Sequence, residues 1–272
     1  VEEKLNAIIK NGVSASMLCL YAMDQIKFFE TYVLGLKEEI IEETIASSTI
    51  GNIVHDSLEL IYKDYVGKRL KMGDFKKMKG KINTIVQSII RNYVREENIY
   101  KGKNIIIVET VKEYVKKVIE LDQKTIEKGN RLKIIAVERE FENEIKDKEK
   151  KFKIRGKIDR IDELNGEVRV IDYKSGKKLR QRNITIKHSE ELTKEKGIYN
   201  LQLLVYMLGI KEEFNEKTIK SGIINLKNIS EGVLEGVFNG KTVLNNNEME
   251  NYKNKIITII ANILDKGKLF KN

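Results

Sequence analysis

The chain has 272 residues, 41% of them apolar and 34% charged, a balance that supports a folded core and excludes a disordered or low-complexity chain. Lys and Arg number 51 against 41 Asp and Glu, and the resulting formal charge of +10 favours an anionic partner, nucleic acid ahead of an acidic membrane surface. A single cysteine, Cys19, excludes an internal disulfide, a Cys-based zinc site and a cluster held by four cysteines of this chain alone.

Residues 14–36, SASMLCLYAMDQIKFFETYVLGL, carry apolar side chains at helical spacing behind Ser14, an N-cap candidate, and predict a helix. Residues 47–66 repeat the pattern with Val54, Leu58, Ile61 and Tyr65 as the stripe, and two further helices are predicted at about 74–98 and 105–128. The period then changes to that of strands. Residues 132–146 and 152–165 alternate, 166–176 continues, and the polar stretch 147–151 reads as a turn. A basic loop, 177–197, leads to an apolar helix at 198–210, a strand at about 218–227 and a closing helix at about 247–265. Proline is absent, so turns must rest on Gly and Asn.

No internal repeat or long linker divides the chain. The order predicts one α/β domain over 1–272, mainly helical over 1–130, with an α/β core over 131–272. The apolar runs 201–210 and 256–264 are shorter than the roughly 20 residues of a membrane span, and the acidic N-terminus has no signal-peptide pattern. A cytoplasmic protein with no membrane partner is expected.

Between the two central strands, Asn165-Gly166 is the strongest short signal for a two-residue type I′ turn. With that turn Leu164 faces Glu167, and Asp159 falls opposite Asp172, two carboxylates with Cβ atoms about 5 Å apart. Asp172 and Lys174 share a strand face, since successive side chains alternate. Two readings remain open at this point. The face is solvated, with Asp159 and Asp172 meeting Lys157 and Lys174, or it is an oxygen-rich site for Mg²⁺ or Mn²⁺ with a lysine beside it. The position of Asp172, behind the apolar VRVI, favours the second, because a buried charge needs a partner.

GKIDRID (156–162) followed by VIDYKSG (170–176) resembles the core of the PD-(D/E)XK nuclease superfamily, in its RecB-like branch. In that branch one metal-binding Asp lies in G-x-x-D, a second opens D-x-K after a short hairpin, and Gln-x-x-x-Tyr follows on a helix. The matching residues are Gly156 and Asp159, then Asp172 and Lys174, then Gln202 and Tyr206. A G-x-x-x-H segment of the branch is matched by Gly51 and His55. Alone, His55 would be read as an ordinary helical histidine, and Gln202 and Tyr206 as core polar groups finding local partners.

The resemblance implies a restriction-endonuclease-like fold, a central mixed sheet flanked by helices, and a metal-dependent DNA nuclease. His55, Asp159, Asp172 and the carbonyl of Tyr173 would hold Mg²⁺ or Mn²⁺. Asp159, Asp172, Lys174, Gln202, Tyr206 and Glu138 would form the catalytic set, with Glu140 a rival to Glu138. Lys177, Lys178, Arg180 and Arg182 would meet DNA phosphates, and 76–81 is a second basic patch. An exonuclease of DNA repair or recombination is implied, with a helicase subunit or domain as a candidate partner. The alternative is an inactive nuclease-like scaffold.

Residues 14–36 also resemble the first helix of AddB-type nucleases. Many of those relatives continue with a Cys-Pro pair and use that Cys with three others for an iron–sulfur cluster. Here the pair reads Asp24-Gln25, so no cluster is expected, and the clamp it provides between the termini is missing.

Overall fold

The structure, a computed structural model, describes residues 2–36, 47–147 and 150–264. In chain order it runs α1 (Glu2–Asn11), β1 (Val13–Ser14), α2 (Ala15–Met23), α3 (Gln25–Phe28) with a π-helical continuation (Phe29–Leu34), α4 (Ser47–Lys63), α5 (Met72–Ile90), α6 (Glu96–Ile99) and α7 (Lys103–Glu127). The strands β2 (Leu132–Asp147), β3 (Lys150–Leu164), β4 (Glu167–Lys174) and β5 (Thr185–Ile186) come next. The chain closes with α8 (Ile198–Ile210), β6 (Ile219–Asn225), β7 (Val233–Glu235), β8 (Val237–Phe238) and α9 (Asn246–Leu264).

The mixed sheet is built around the β3–β4 hairpin. Asn165 (φ 55°) and Gly166 (φ 99°) both take the positive φ that a type I′ turn demands. The register runs from Leu164 opposite Glu167 to Arg160 opposite Ile171, one pair short of Asp159 and Asp172. Beyond that point β4 continues alongside β6, to which it is parallel from Val168–Ile219 to Lys174–Asn225. A parallel neighbour requires a crossover, and α8 supplies it. β2 pairs antiparallel along β3, β1 joins β3 in parallel at Ile154 and Arg155, and β7 extends the sheet beyond β6.

Helices cover both faces. One layer packs α1, α2, α8 and α9 around Leu18, Ile161, Val170, Leu204 and Ile256. The other packs α4, α5 and α7 around Leu58, Met78, Val115, Ile171 and Tyr173. This is the expected mixed sheet flanked by helices. Helix α1 packs on α9, so apolar side chains such as Leu5 and Ile260 join the first and last described helices. No helix among the described residues is long and apolar enough to cross a membrane.

Several elements differ from expectation. The helix predicted over 14–36 breaks at Asp24, whose backbone is extended (φ −152°, ψ 96°) and whose side chain accepts from the Lys27 amide at 2.8 Å, capping α3. Ser14 is the N-cap expected, accepting from the Met17 amide at 3.1 Å. The helix predicted over 74–98 ends at Ile90, because the buried stripe of Phe75, Met78, Ile82, Val86 and Ile90 stops there and residues 91–93 are exposed. Strands β5, β7 and β8, each two or three residues long, are too short to leave a periodic signal. The turn predicted over 147–151 includes 148 and 149, which lie outside the described residues.

Candidate active site

The site forms where α4, the middle of β2 and β3, the end of β4 and α8 meet. Alternation along β2 and β3 is interrupted here. Ile158 and Ile161, three residues apart, pack on the α8 side, whereas Val137 packs on the α4 side and Phe141, four residues on, on the α8 side. At the centre of the interruption Glu138 takes φ 47°, a left-handed conformation unusual for a side chain with a Cβ. It lies between the pairs Val137–Arg160 and Arg139–Ile158, hence opposite Asp159.

Two glycines let the elements close on this point. A Cβ on Gly51 would lie 2.6 Å from Ser175 Oγ, so Gly51 lets α4 approach the end of β4. A Cβ on Gly156 would lie 2.8 and 2.9 Å from the Phe141 ring, which stands edge-on to Tyr206 with centroids 6.2 Å apart. Phe141 also fills the space a Cβ on Gly209 would need.

His55 is the hub. Its Nε2 lies 3.0 Å from the Tyr173 carbonyl, and its Nδ1 lies 3.4 Å from Asp159 Oδ2 and 3.7 Å from Glu138 Oε1. Both ring nitrogens therefore face acceptors, the surroundings of an imidazolium. Burial pushes its pKa down, but the nearby carboxylates of Glu138, Asp159 and Asp172 outweigh this and raise it to about 9. Asp159, almost fully buried, is held above the usual carboxyl range by desolvation and by Asp172, against the pull of His55 and of the Tyr173 amide, which donates to its Oδ2 at 2.7 Å. Glu138 is lowered: burial raises it, but His55 and Lys157, the latter 2.7 Å away, prevail.

One nitrogen of His55 and one oxygen each of Glu138 and Asp159 lie within 4.8 Å of one another. Glu138 thus completes the close trio, whereas Asp172 stands beside it in a second group. Asp172 Oδ2 faces the Lys174 ammonium at 2.7 Å, and Oδ1 accepts from Gln202 Nε2 at 2.8 Å. The same Gln202 nitrogen donates to the Tyr206 hydroxyl at 2.7 Å. Gln202, held by Tyr206 one turn further along α8, therefore braces Asp172. Glu140 lies on β2 beyond this trio and lines an adjacent cleft with Phe141, Arg155 and Lys157.

The donor set suits a hard divalent cation: an imidazole, two carboxylates and a main-chain carbonyl close by. Asp172 adds a buried oxygen that, among the described residues, is met by the Lys174 ammonium at 2.7 Å. A soft thiolate plays no part. Cys19 Sγ donates to the Ile198 carbonyl at 3.5 Å, and burial pushes its pKa up to about 12, which keeps it a thiol.

The basic residues after β4 separate. Lys177 pairs with Glu195 at 3.0 Å, while Lys178, Arg180 and Arg182 are exposed. In the run 76–81, Lys79 bonds Gln123 at 2.7 Å and Lys81 pairs with Asp64 at 2.6 Å.

Sequence reasoning missed the support behind the site. Arg160, fully buried, forks onto Asp122 of α7 at 2.7 and 3.1 Å and meets Asp162 at 2.7 Å, while Asp162 receives a second fork from Arg169. The Tyr62 hydroxyl of α4 donates to Asp122, and Arg160 lies 5.0 Å from the Tyr62 ring centre. Asp-Arg-Ile-Asp at 159–162 is visible in the chain, but nothing local points to a partner 38 residues away.

A family model described as the PD-(D/E)XK nuclease superfamily matches residues 12–270. No curated protein matches the sequence.

Proposed function

The chain belongs to the PD-(D/E)XK nuclease superfamily, and from that premise we propose that it is a Mg²⁺- or Mn²⁺-dependent deoxyribonuclease of the RecB-like branch, acting as an exonuclease in DNA repair or recombination. We take 1–272 as one nuclease domain, in the cell interior and open to partnership with a helicase. The observation that carries the reading is the convergence of His55, Glu138 and Asp159 on one point, with the Asp172–Lys174 pair beside it.

His55, Glu138 and Asp159 would hold the cation, with Asp172 and the Tyr173 carbonyl as its neighbours. When bound, it supplies Lewis acidity toward the scissile phosphate and acidifies the attacking water. The chain's own residues do the rest. The Tyr173 amide orients Asp159, and the Gln202 amide orients Asp172. Lys174, held 2.7 Å from Asp172, would place its ammonium where negative charge grows on the phosphate. Water oxygen would then bond to phosphorus, giving its proton to solvent, as the opposite P–O ester bond breaks and the leaving oxygen takes a proton from solvent.

Purified protein with Mg²⁺ or Mn²⁺ is expected to degrade end-labelled linear DNA. Asp159→Ala, Asp172→Ala and Lys174→Ala should each reduce the rate by about 10²–10³ or more, with DNA binding in EDTA largely kept. Absence of cleavage with either metal, on single- or double-stranded DNA, would overturn the enzyme reading and favour a nuclease-like scaffold.

A further inference from the structure

A second concentration of charge lies beside the site. Between the C-terminal half of α7 and the turn after β6 runs a cleft of about 530 Å³, lined by Lys117, Lys124, Lys128, Lys178 and Lys227. The three α7 lysines are seven and four residues apart, so they share one helix face, and Lys178 and Lys227 come from the opposite wall. All five are exposed. Lys117 pairs with Glu113 at 3.6 Å, whereas Lys124, Lys128, Lys178 and Lys227 form no ion pair among the described residues.

Two acids also line the cleft against the five lysines, and among the described residues neither forms an ion pair with them. Glu231 accepts from Asn228 Nδ2 at 2.7 Å, and Glu120 lies 3.8 Å from Lys79 and 4.0 Å from Lys116. Lysines near a helix C-terminus complement its dipole, which accounts for Lys124 and Lys128. It does not account for Lys178 and Lys227 facing them.

The cleft is joined to the site by covalent and hydrogen-bonded structure. Buried Asn225 donates to the Lys174 carbonyl at 3.1 Å and to the Lys177 carbonyl at 3.0 Å, and its Oδ1 accepts from the Leu179 amide at 3.2 Å. Asn228 donates to the Leu179 carbonyl at 2.9 Å. These two amides pin the segment leaving β4 along the turn after β6, which sets Lys178 on the cleft wall. Lys174 is paired with Asn225 on the adjacent strand, about 4.8 Å across, so the turn after β6 that forms one wall of the cleft leaves the sheet at the same end as that lysine.

We propose that this cleft binds the phosphodiester backbone of the DNA strand whose scissile bond lies at the site, an inference that rests on the nuclease reading above. Point charges on flexible stems, spread over two walls and four of the five without a carboxylate partner among the described residues, suit a repeating phosphate chain bound without regard to sequence.

The test reads binding in EDTA, where cleavage plays no part. Labelled single-stranded and duplex DNA of about 16 nucleotides is titrated by fluorescence anisotropy against wild type, Lys124→Glu/Lys227→Glu, and a charge-matched control, Lys4→Glu/Lys10→Glu on α1. The cleft variant should bind about tenfold or more weakly, with the slope of log K on log salt for single strands flatter by about 1.4, or about 0.7 per lost contact. Lys124→Gln/Lys227→Gln should fall between it and wild type, with circular dichroism unchanged. Equal affinity and slope in wild type and cleft variant would overturn the proposal, as would an equal loss in the control or no binding by wild type. Failure of the nuclease reading is separate: it would show as absent cleavage with metal, while cleft-dependent binding in EDTA would still stand.

Discussion

At the residue scale, the chemistry of the site turns on the proton of His55. Held at about 9 by acidic neighbours that outweigh burial, the imidazole is protonated at neutral pH in the metal-free protein. A pKa raised above the ordinary value of about 6.5 adds stability at low pH, which is lost as pH rises through about 9. Asp159, also raised, works in the same direction lower on the scale. The melting temperature of metal-free protein is therefore expected to fall between pH 6.5 and 9, and a rise over that window would contradict the assignment. A cation must displace the proton, so Mn²⁺ affinity should climb across the same window with proton release measurable by calorimetry in buffers of different ionisation heat. Glu138→Gln removes one of the carboxylate charges that raise His55, and should move that window to lower pH while weakening Mn²⁺ binding by about 10–100-fold. Most of these residues were legible because their types and order carry the chemistry. The left-handed turn at Glu138 was not, since an alternating pattern says nothing of a kink that reverses its own parity.

At the scale of elements, the site depends on how closely α8 packs on the β2–β3 pair. Phe141 is held between Gly156 and Gly209 with its ring against Tyr206, the residue that shares Gln202 with Asp172. Gly156→Ala is expected to cost about 1–3 kcal/mol by urea denaturation through overpacking. Gly209→Ala should cost a similar amount, since the same ring must move. An unchanged midpoint in both would show that Phe141 is free to leave. The hairpin register, the N-cap at Ser14 and the bounds of α8 were readable because turn chemistry and periodicity are local signals. The break at Asp24 was available in principle. Asp is a preferred N-cap, yet the apolar spacing continues across it and masks the boundary.

At the scale of the whole molecule, the Arg160 network ties the α4–α7 layer to the sheet from behind. Asp122→Ala would leave the buried guanidinium with only Asp162, itself shared with Arg169, and should destabilise the protein by about 3–5 kcal/mol. Asp122→Leu combined with Arg160→Met should recover much of that loss, because removing both charges abolishes the desolvation cost. A double variant no more stable than the single would indicate that the network shapes the layer contact beyond its charge balance. None of this could be read along the chain, because Tyr62, Asp122 and Arg160 lie on three elements that only tertiary packing brings together. The position of β4 also bears on synthesis. It lies between β3 and β6, and Gln202 and Asn225, which hold its end in place, emerge from the ribosome after it. A chain extruded only through residue 197 carries His55, Glu138, Asp159, Asp172 and Lys174, yet β4 is still an unpaired edge and Asp172 lacks its amide brace. Closure of the sheet around β4 and the bracing of Asp172 therefore wait for the segment that carries α8 and β6.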